Sequence, residues 1–177
     1  MAKRGYNRDT IRGGASDWDV SRPFSSYLRL LAQLLVHPIR FFELLPKVPD
    51  LRAPGLFLAF SGLVSAPFWL AFEGIIPALV ALLLPLPLSF VVAGLCHATT
   101  AGGRYGYRVT WRTVAYPLGF FLPLADVPGL RWVAVAYAGL VLLPIGLKTV
   151  REVGLLRAAV GPVIVTGLLA FILWRVV

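Results

Sequence analysis

Five long stretches of this 177-residue chain carry no charge. Residues 53–72 contain no Asp, Glu, Lys or Arg, and the same holds for 74–103, 113–125, 132–147 and 158–174. A membrane-crossing helix needs about 20 mainly apolar residues, within a range of about 17–25. The first, second and fifth stretches meet that length directly. The third and fourth meet it if Arg112 and Arg131 lay their stems along lipid and lift their charged heads into the interface. The expected class is therefore an all-α integral membrane protein with five transmembrane helices, at about 54–72, 75–98, 109–125, 129–147 and 157–175. For the third and fourth segments a re-entrant hairpin is the alternative.

Composition points the same way. The chain is 58% hydrophobic and 14% charged, with a mean hydropathy of +0.79. A soluble domain averages about 45–50% apolar and about 25% charged, so an ordinary soluble domain and a disordered chain are both disfavoured. The length accommodates one domain. Residues 1–20 form a polar, basic tail containing Lys3, Arg4, Arg8 and Arg12, and 21–177 form the membrane domain. No apolar run follows the basic start, so no cleavable signal is expected.

The formal net charge is +9. With five crossings, the tail and the loops holding Arg104, Arg108, Arg112, Lys148, Arg151 and Arg157 share one side, leaving Arg131 and Arg175 on the other. Lys and Arg accumulate on the cytoplasmic side of membrane proteins. The expected orientation is N-terminus cytoplasmic and C-terminus outside. The basic loops then imply contact with anionic headgroups rather than nucleic acid.

Before the first span, Ser21 is a candidate helix cap and Pro23 suits a first turn. Phe24, Tyr27, Leu28, Leu31, Leu34 and Leu35 follow at helical spacing, with Ser26, Arg29 and Gln33 opposite. Thirteen residues at about 1.5 Å each cannot cross a bilayer. The pattern predicts an amphipathic helix lying in the cytoplasmic interface, docking on the bundle's own cytoplasmic end being the alternative. His37-Pro38 interrupts it, and Ile39, Phe41, Phe42 and Leu45 extend the apolar surface. Within the spans Pro77, Pro85, Pro87, Pro117, Pro123, Pro144 and Pro162 predict kinked helices packed irregularly.

Candidate chemistry is sparse. Glu73 falls at a span boundary and reads as a surface carboxylate. Cys96 is the single cysteine, which excludes an internal disulfide. His97 reads as a hydrogen-bonded histidine at a helix end, and His37 as interfacial. No nucleophile elbow, zinc-binding helix, phosphate loop or dinucleotide fingerprint occurs. No catalytic residue, metal site or cofactor is expected, although the apolar spans leave room for bound lipid. Gly94, Ala134, Ala136, Ala138 and Gly139 permit close helix contact, within the bundle or with a partner. Phe68, Trp69, Phe72, Phe120, Phe121, Trp132, Tyr137 and Trp174 read as an interfacial aromatic belt.

Several of these residues also carry a resemblance. Pro38 and Phe41-Phe42 precede the first span, and His97 closes the second. Gly102-Gly103 lies in the next basic loop, Tyr116-Pro117 in the third span and Gly146 near the end of the fourth. From about Leu34 onward this pattern resembles the Yip1 family of small five-span membrane proteins. The resemblance implies a cytoplasmic N-terminus and a non-catalytic role in organising membrane or recruiting partner proteins, with self-association or a membrane-protein partner. The long acidic or proline-rich tail of eukaryotic relatives is missing, so the resemblance is to the minimal bacterial members, and a Rab-type GTPase partner is not implied. The 14 Arg against 3 Lys fit a GC-rich bacterial genome, hence a bacterial plasma membrane. An accessory transmembrane subunit of a respiratory or photosynthetic complex is the alternative. A small transporter or channel would call for an internal repeat and paired polar residues at mid-membrane, and neither is present.

Overall fold

A computed structural model describes residues 18–19, 21–47, 51–125, 127 and 129–176, with side chains as far as 171. Most of the basic tail, including Lys3, Arg4, Arg8 and Arg12, lies outside the described residues, as do the side chains of Trp174 and Arg175. Among the described residues every regular element is helical. They are α1 (Pro23–Val36), α2 (Pro38–Leu44), α3 (Arg52–Phe72), α4 (Ile75–Leu83), α5 (Pro85–Thr99), α6 (Tyr107–Ala125), α7 (Arg131–Ala136), a π-helical stretch (Tyr137–Leu142), α8 (Leu143–Arg151) and α9 (Leu155–Val176).

Two of these helical segments, Arg52–Phe72 and the continuous Arg131–Arg151, are long and apolar enough to cross a membrane. The pair α4 and α5 makes a third if it is one span, bent by 47° between Leu83 and Pro85. The bend has a local cause. Pro85 and Pro87 have no N–H to donate back into α4, so the ladder breaks at Leu84 and Pro85 opens a new helix. Pro67, Pro117, Pro123 and Pro162, by contrast, are carried inside α3, α6 and α9. Pro144 follows the π-helical stretch, and that wider turn accommodates the missing bond within one continuous helix.

α6 fails the same apolarity test because of its first turns, which hold Arg108 and Arg112, yet it is deeply enclosed among the described residues. Every residue from Val109 to Phe120 is buried. Arg112 is 1% exposed. Its guanidinium therefore does not reach up to an interface along lipid, as the sequence led us to expect; α6 turns that face inward instead. Arg131 sits at the other end of the bundle, where its Nε donates to Ala125 O at 3.2 Å and its guanidinium lies 5.7 Å from the Trp69 ring centre.

The amphipathic helix divides its apolar stripe between two surroundings. Tyr27, Leu30 and Leu34 are buried against the bundle, the Tyr27 ring lying 5.4 Å from Phe57 and 5.0 Å from Phe60. Phe24, Leu28 and Leu35, at i, i+4 and i+11, face outward and remain exposed, while Leu31 is intermediate. Two expectations need correction. Ser26, on the polar side of the periodicity, is buried, its Oγ accepting from Asp19 N–H at 2.8 Å. Ser21 does not cap the helix; Arg22 occupies that position without a side-chain bond. Instead the Asp19 carboxylate accepts from Ser21 N–H and Ser21 Oγ, at 2.9 and 2.7 Å.

Close helix contact is made at some of the expected small residues and not at others. A Cβ on Gly146 would stand 2.8 Å from both Phe42 and Thr113, so its absence lets α8 meet α2 and α6. Gly139 in the π-helical stretch abuts Thr166 of α9. Gly94 has nothing within 4 Å, and Ala136 is exposed. We predict that Gly146→Val lowers stability by about 1–3 kcal/mol through overpacking. Gly94→Ala should be neutral or stabilising by up to about 1 kcal/mol, since it only improves helix propensity. Thermal unfolding of the purified protein in detergent reads both.

Candidate functional site

The residues carrying the family resemblance form two clusters. The first is aromatic. Phe41 and Phe42 of α2 are buried and meet edge to face, with centroids 5.1 Å apart. Phe41 packs on Tyr116 of α6 at 5.1 Å and 80°, Tyr116 lies 5.3 Å from Phe57 of α3, and Phe42 fills the space left by Gly146. Edge-to-face pairs each contribute about 0.5–1.5 kcal/mol beyond burial. Pro38, in the first turn of α2, starts the helix that delivers both rings. Pro117 follows Tyr116 in α6, is buried and has no ring contact of this kind.

The second cluster is polar and centres on a residue whose charge the sequence places in a loop. Arg151, in the last turn of α8, is 1% exposed. Its Nη1 approaches His97 Nδ1 at 2.9 Å and Thr110 Oγ1 at 3.1 Å and donates to Tyr105 O; its Nη2 donates to Thr100 O at 2.7 Å. A guanidinium has only donors. The contact at His97 Nδ1 fits the tautomer whose ring proton sits on Nε2, and Thr110 Oγ1 also lies 3.0 Å from Nδ1. The Tyr107 ring stands edge-on to the imidazole at 5.7 Å. Arg151 Nε is buried without a hydrogen-bond partner.

The two loop glycines have separate tasks here. Gly102 adopts φ +85° to turn the chain after α5, a conformation open to glycine at little cost. Gly103 provides space, because a Cβ there would come within 2.8 Å of Arg151 Nε. Arg104 N–H then donates to Arg151 O at 3.2 Å, so backbone and side chain of one residue hold both ends of the loop. The carbonyl of Thr100, the C-cap of α5, adds the negative end of a helix dipole to the acceptors around the guanidinium.

Outside this buried fork lies an exposed ionic layer. Glu152 accepts from Lys47 Nζ at 3.2 Å and from Arg104 Nη1 at 3.0 Å. It does so from a left-handed backbone with φ 55° and ψ 41°, a conformation that non-glycine residues seldom adopt. Lys47 and Arg104 both stand over the Tyr105 ring, at 5.3 and 5.9 Å from its centre. The Arg104 hydrogen bond is the main cause that lowers the Glu152 carboxyl from its ordinary 4.5; burial opposes it and Lys47 adds to the lowering.

Arg151 would have been visible in the sequence as a charge in register with an apolar stripe, since Pro144, Leu147 and Val150 on the same side of α8 are also buried. Glu73 is exposed just beyond α3, and Cys96 is fully buried. Among the described residues, no three His, Cys, Asp or Glu side chains group as metal ligands. No family model, curated protein or solved structure matches the chain.

Two outcomes follow for this cluster. Arg151→Lys should lower stability by about 3 kcal/mol, because one ammonium cannot stand in for both Nη1, which meets Tyr105, His97 and Thr110, and Nη2, which meets Thr100. Thermal unfolding in detergent measures the loss, and an unchanged midpoint would contradict the fork. For Glu152 the folded carboxyl titrates below its unfolded value. Its contribution is therefore present above pH 4.5 and is lost as pH falls through the lowered value. The acid side of the stability profile should flatten in Glu152→Gln, with a small amplitude because the group is partly exposed.

Proposed function

We propose that the chain is a non-catalytic, Yip1-like protein of the bacterial plasma membrane that crosses it five times, N-terminus cytoplasmic, and organises membrane or recruits partner proteins. The observation that carries this reading is the divided apolar stripe of α1. One side packs on the bundle and the other, Phe24, Leu28 and Leu35, continued by Val36 and Ile39, is left uncovered beside the exposed Arg22, Arg29 and Arg40. An apolar strip flanked by arginines suits the headgroup region of an anionic leaflet. Docked at Tyr27, Leu30 and Leu34, this helix is fixed in orientation and able to transmit a pull on the membrane surface to the bundle.

Five crossings are supported by where the connections meet. Lys47, Thr100, Arg104, Tyr105, Arg151 and Glu152 gather at one end, whereas Trp69, Ala125 and Arg131 gather at the other. α6 thus starts at the first end and finishes at the second, and Arg131–Arg151 returns, which favours two full passes over a re-entrant hairpin. The clustering of Phe41, Phe42, Tyr116 and Gly146, and of His97, Gly102 and Gly103, supports the family reading, since residues far apart in sequence serve shared contacts.

Topology is tested by cysteine labelling, for which the buried Cys96 gives little background. In intact cells a membrane-impermeant maleimide should label Val127→Cys and leave Ser21→Cys unlabelled until the membrane is opened. Protection of both would favour the hairpin. For function, protein reconstituted in vesicles should self-associate or retain a membrane-protein partner. A monomer that retains nothing would sink the recruiting role, and co-migration with a large complex on a native gel would favour an accessory subunit.

A further inference from the structure

A groove of about 400 Å³ opens on the side of the bundle, lined by Trp69, Val80, Leu84, Leu88, Leu122 and Leu169, among others. It exists because of the break at Leu84. α4 packs chiefly on α3, whereas α5, beyond the bend, packs on α6 and α9. The upper part of the bent pair therefore leans away from α6 and α9 and leaves a slot between them. The walls are almost wholly apolar, and the two charged residues that line it are Glu73 and Arg131.

Those two charges occupy one end of the groove. Glu73 is the residue at which α3 stops, and Arg131 starts α7. Among the described residues neither takes part in a salt bridge, although both line the same slot. Arg131 is held in place from behind by Ala125 O and the Trp69 ring, and among the described residues its two terminal nitrogens bond no acceptor. An apolar slot running from an anchored cation and a carboxylate toward the middle of the bundle is complementary to one kind of molecule: a lipid with an acyl chain and a headgroup bearing both signs of charge.

We propose that this groove holds one acyl chain of a zwitterionic phospholipid whose phosphate is bound by Arg131 and whose primary ammonium is bound by Glu73. The mouth lies at the end of the bundle opposite Arg151 and Glu152, so on the five-span reading the lipid belongs to the outer leaflet. A plain anionic lipid satisfies Arg131 but sets its charge against Glu73. An apolar helix from another protein would fill the slot and leave both charges without partners, at the cost of burying unpaired groups.

The test uses the full chain reconstituted in nanodiscs of equal phosphatidylethanolamine and phosphatidylglycerol, followed by gentle detergent exchange and mass spectrometry of the retained lipid. Phosphatidylethanolamine should be enriched over phosphatidylglycerol roughly tenfold, the effect of about one charge-assisted contact. Glu73→Gln should remove that preference, and Arg131→Gln should reduce retention of both lipids. A phosphatidylethanolamine with a photoreactive acyl tail should label Leu88, Leu122 or Leu169, and Val80→Trp, narrowing the slot, should suppress the label. Equal retention of both lipids in wild type and Glu73→Gln, or label scattered over all helices, would overturn the proposal. So would a disulfide-linked dimer formed through Leu84→Cys, which would place a second copy in the groove. Protein that fails to stay in the bilayer through an alkaline wash would instead overturn the membrane reading on which the proposal rests.

Discussion

A guanidinium buried among carbonyl oxygens organises one end of this bundle. An unpaired charge taken out of water costs several kcal/mol, and Arg151 has no carboxylate within reach among the described residues. Thr100 O, Tyr105 O, Thr110 Oγ1 and His97 Nδ1 offset that cost, and they come from the end of α5, the following loop and the start of α6. The fork therefore holds α8 against two other helices and sets the course of the loop between them. Removing it would leave the buried Thr100 O and the part-buried Tyr105 O short of a donor as well as breaking a contact.

This constraint explains features that look unrelated in the sequence. Gly103 must lack a Cβ because the guanidinium occupies the space, and the contact at His97 Nδ1 fits a ring that carries its proton on Nε2. Glu152 follows directly in a left-handed turn and holds Lys47 and Arg104 above the cluster. In lipid, apolar burial gives helices little reason to associate, so packing and polar contacts must do so. The polar fork at one end is complemented by close approaches through Gly139 and Gly146 and by the Phe41–Tyr116–Phe57 ring contacts. At the far end, where the described residues form no such fork, α4 leans outward and the side groove opens.

Helix positions were legible because they depend on local signals. The charge-free stretches lie within a few residues of α3, α4–α5, α6, Arg131–Arg151 and α9. Long-range partnerships were not. Counting Arg112 and Arg151 as cytoplasmic surface charge assumed that a cation beside an apolar run faces water. Each is instead buried, and a charge count by side cannot see which way a helix is rotated. The same blindness placed Ser26 on a polar face: its hydroxyl is satisfied by Asp19 N–H, a contact with a residue outside the helix. The convergence of His97, Gly103 and Arg151 spans 54 residues, and neither composition nor periodicity carries information over that distance.

The most direct measurement is the nitrogen NMR spectrum of His97 in the labelled, reconstituted protein, with Arg151→Lys as the reference. A neutral ring protonated at Nε2, with Nδ1 shifted by an accepted hydrogen bond that is lost in Arg151→Lys, is the expected result. A ring carrying its proton on Nδ1, or an imidazolium that the Arg151 substitution leaves unchanged, would contradict a fork built on that lone pair.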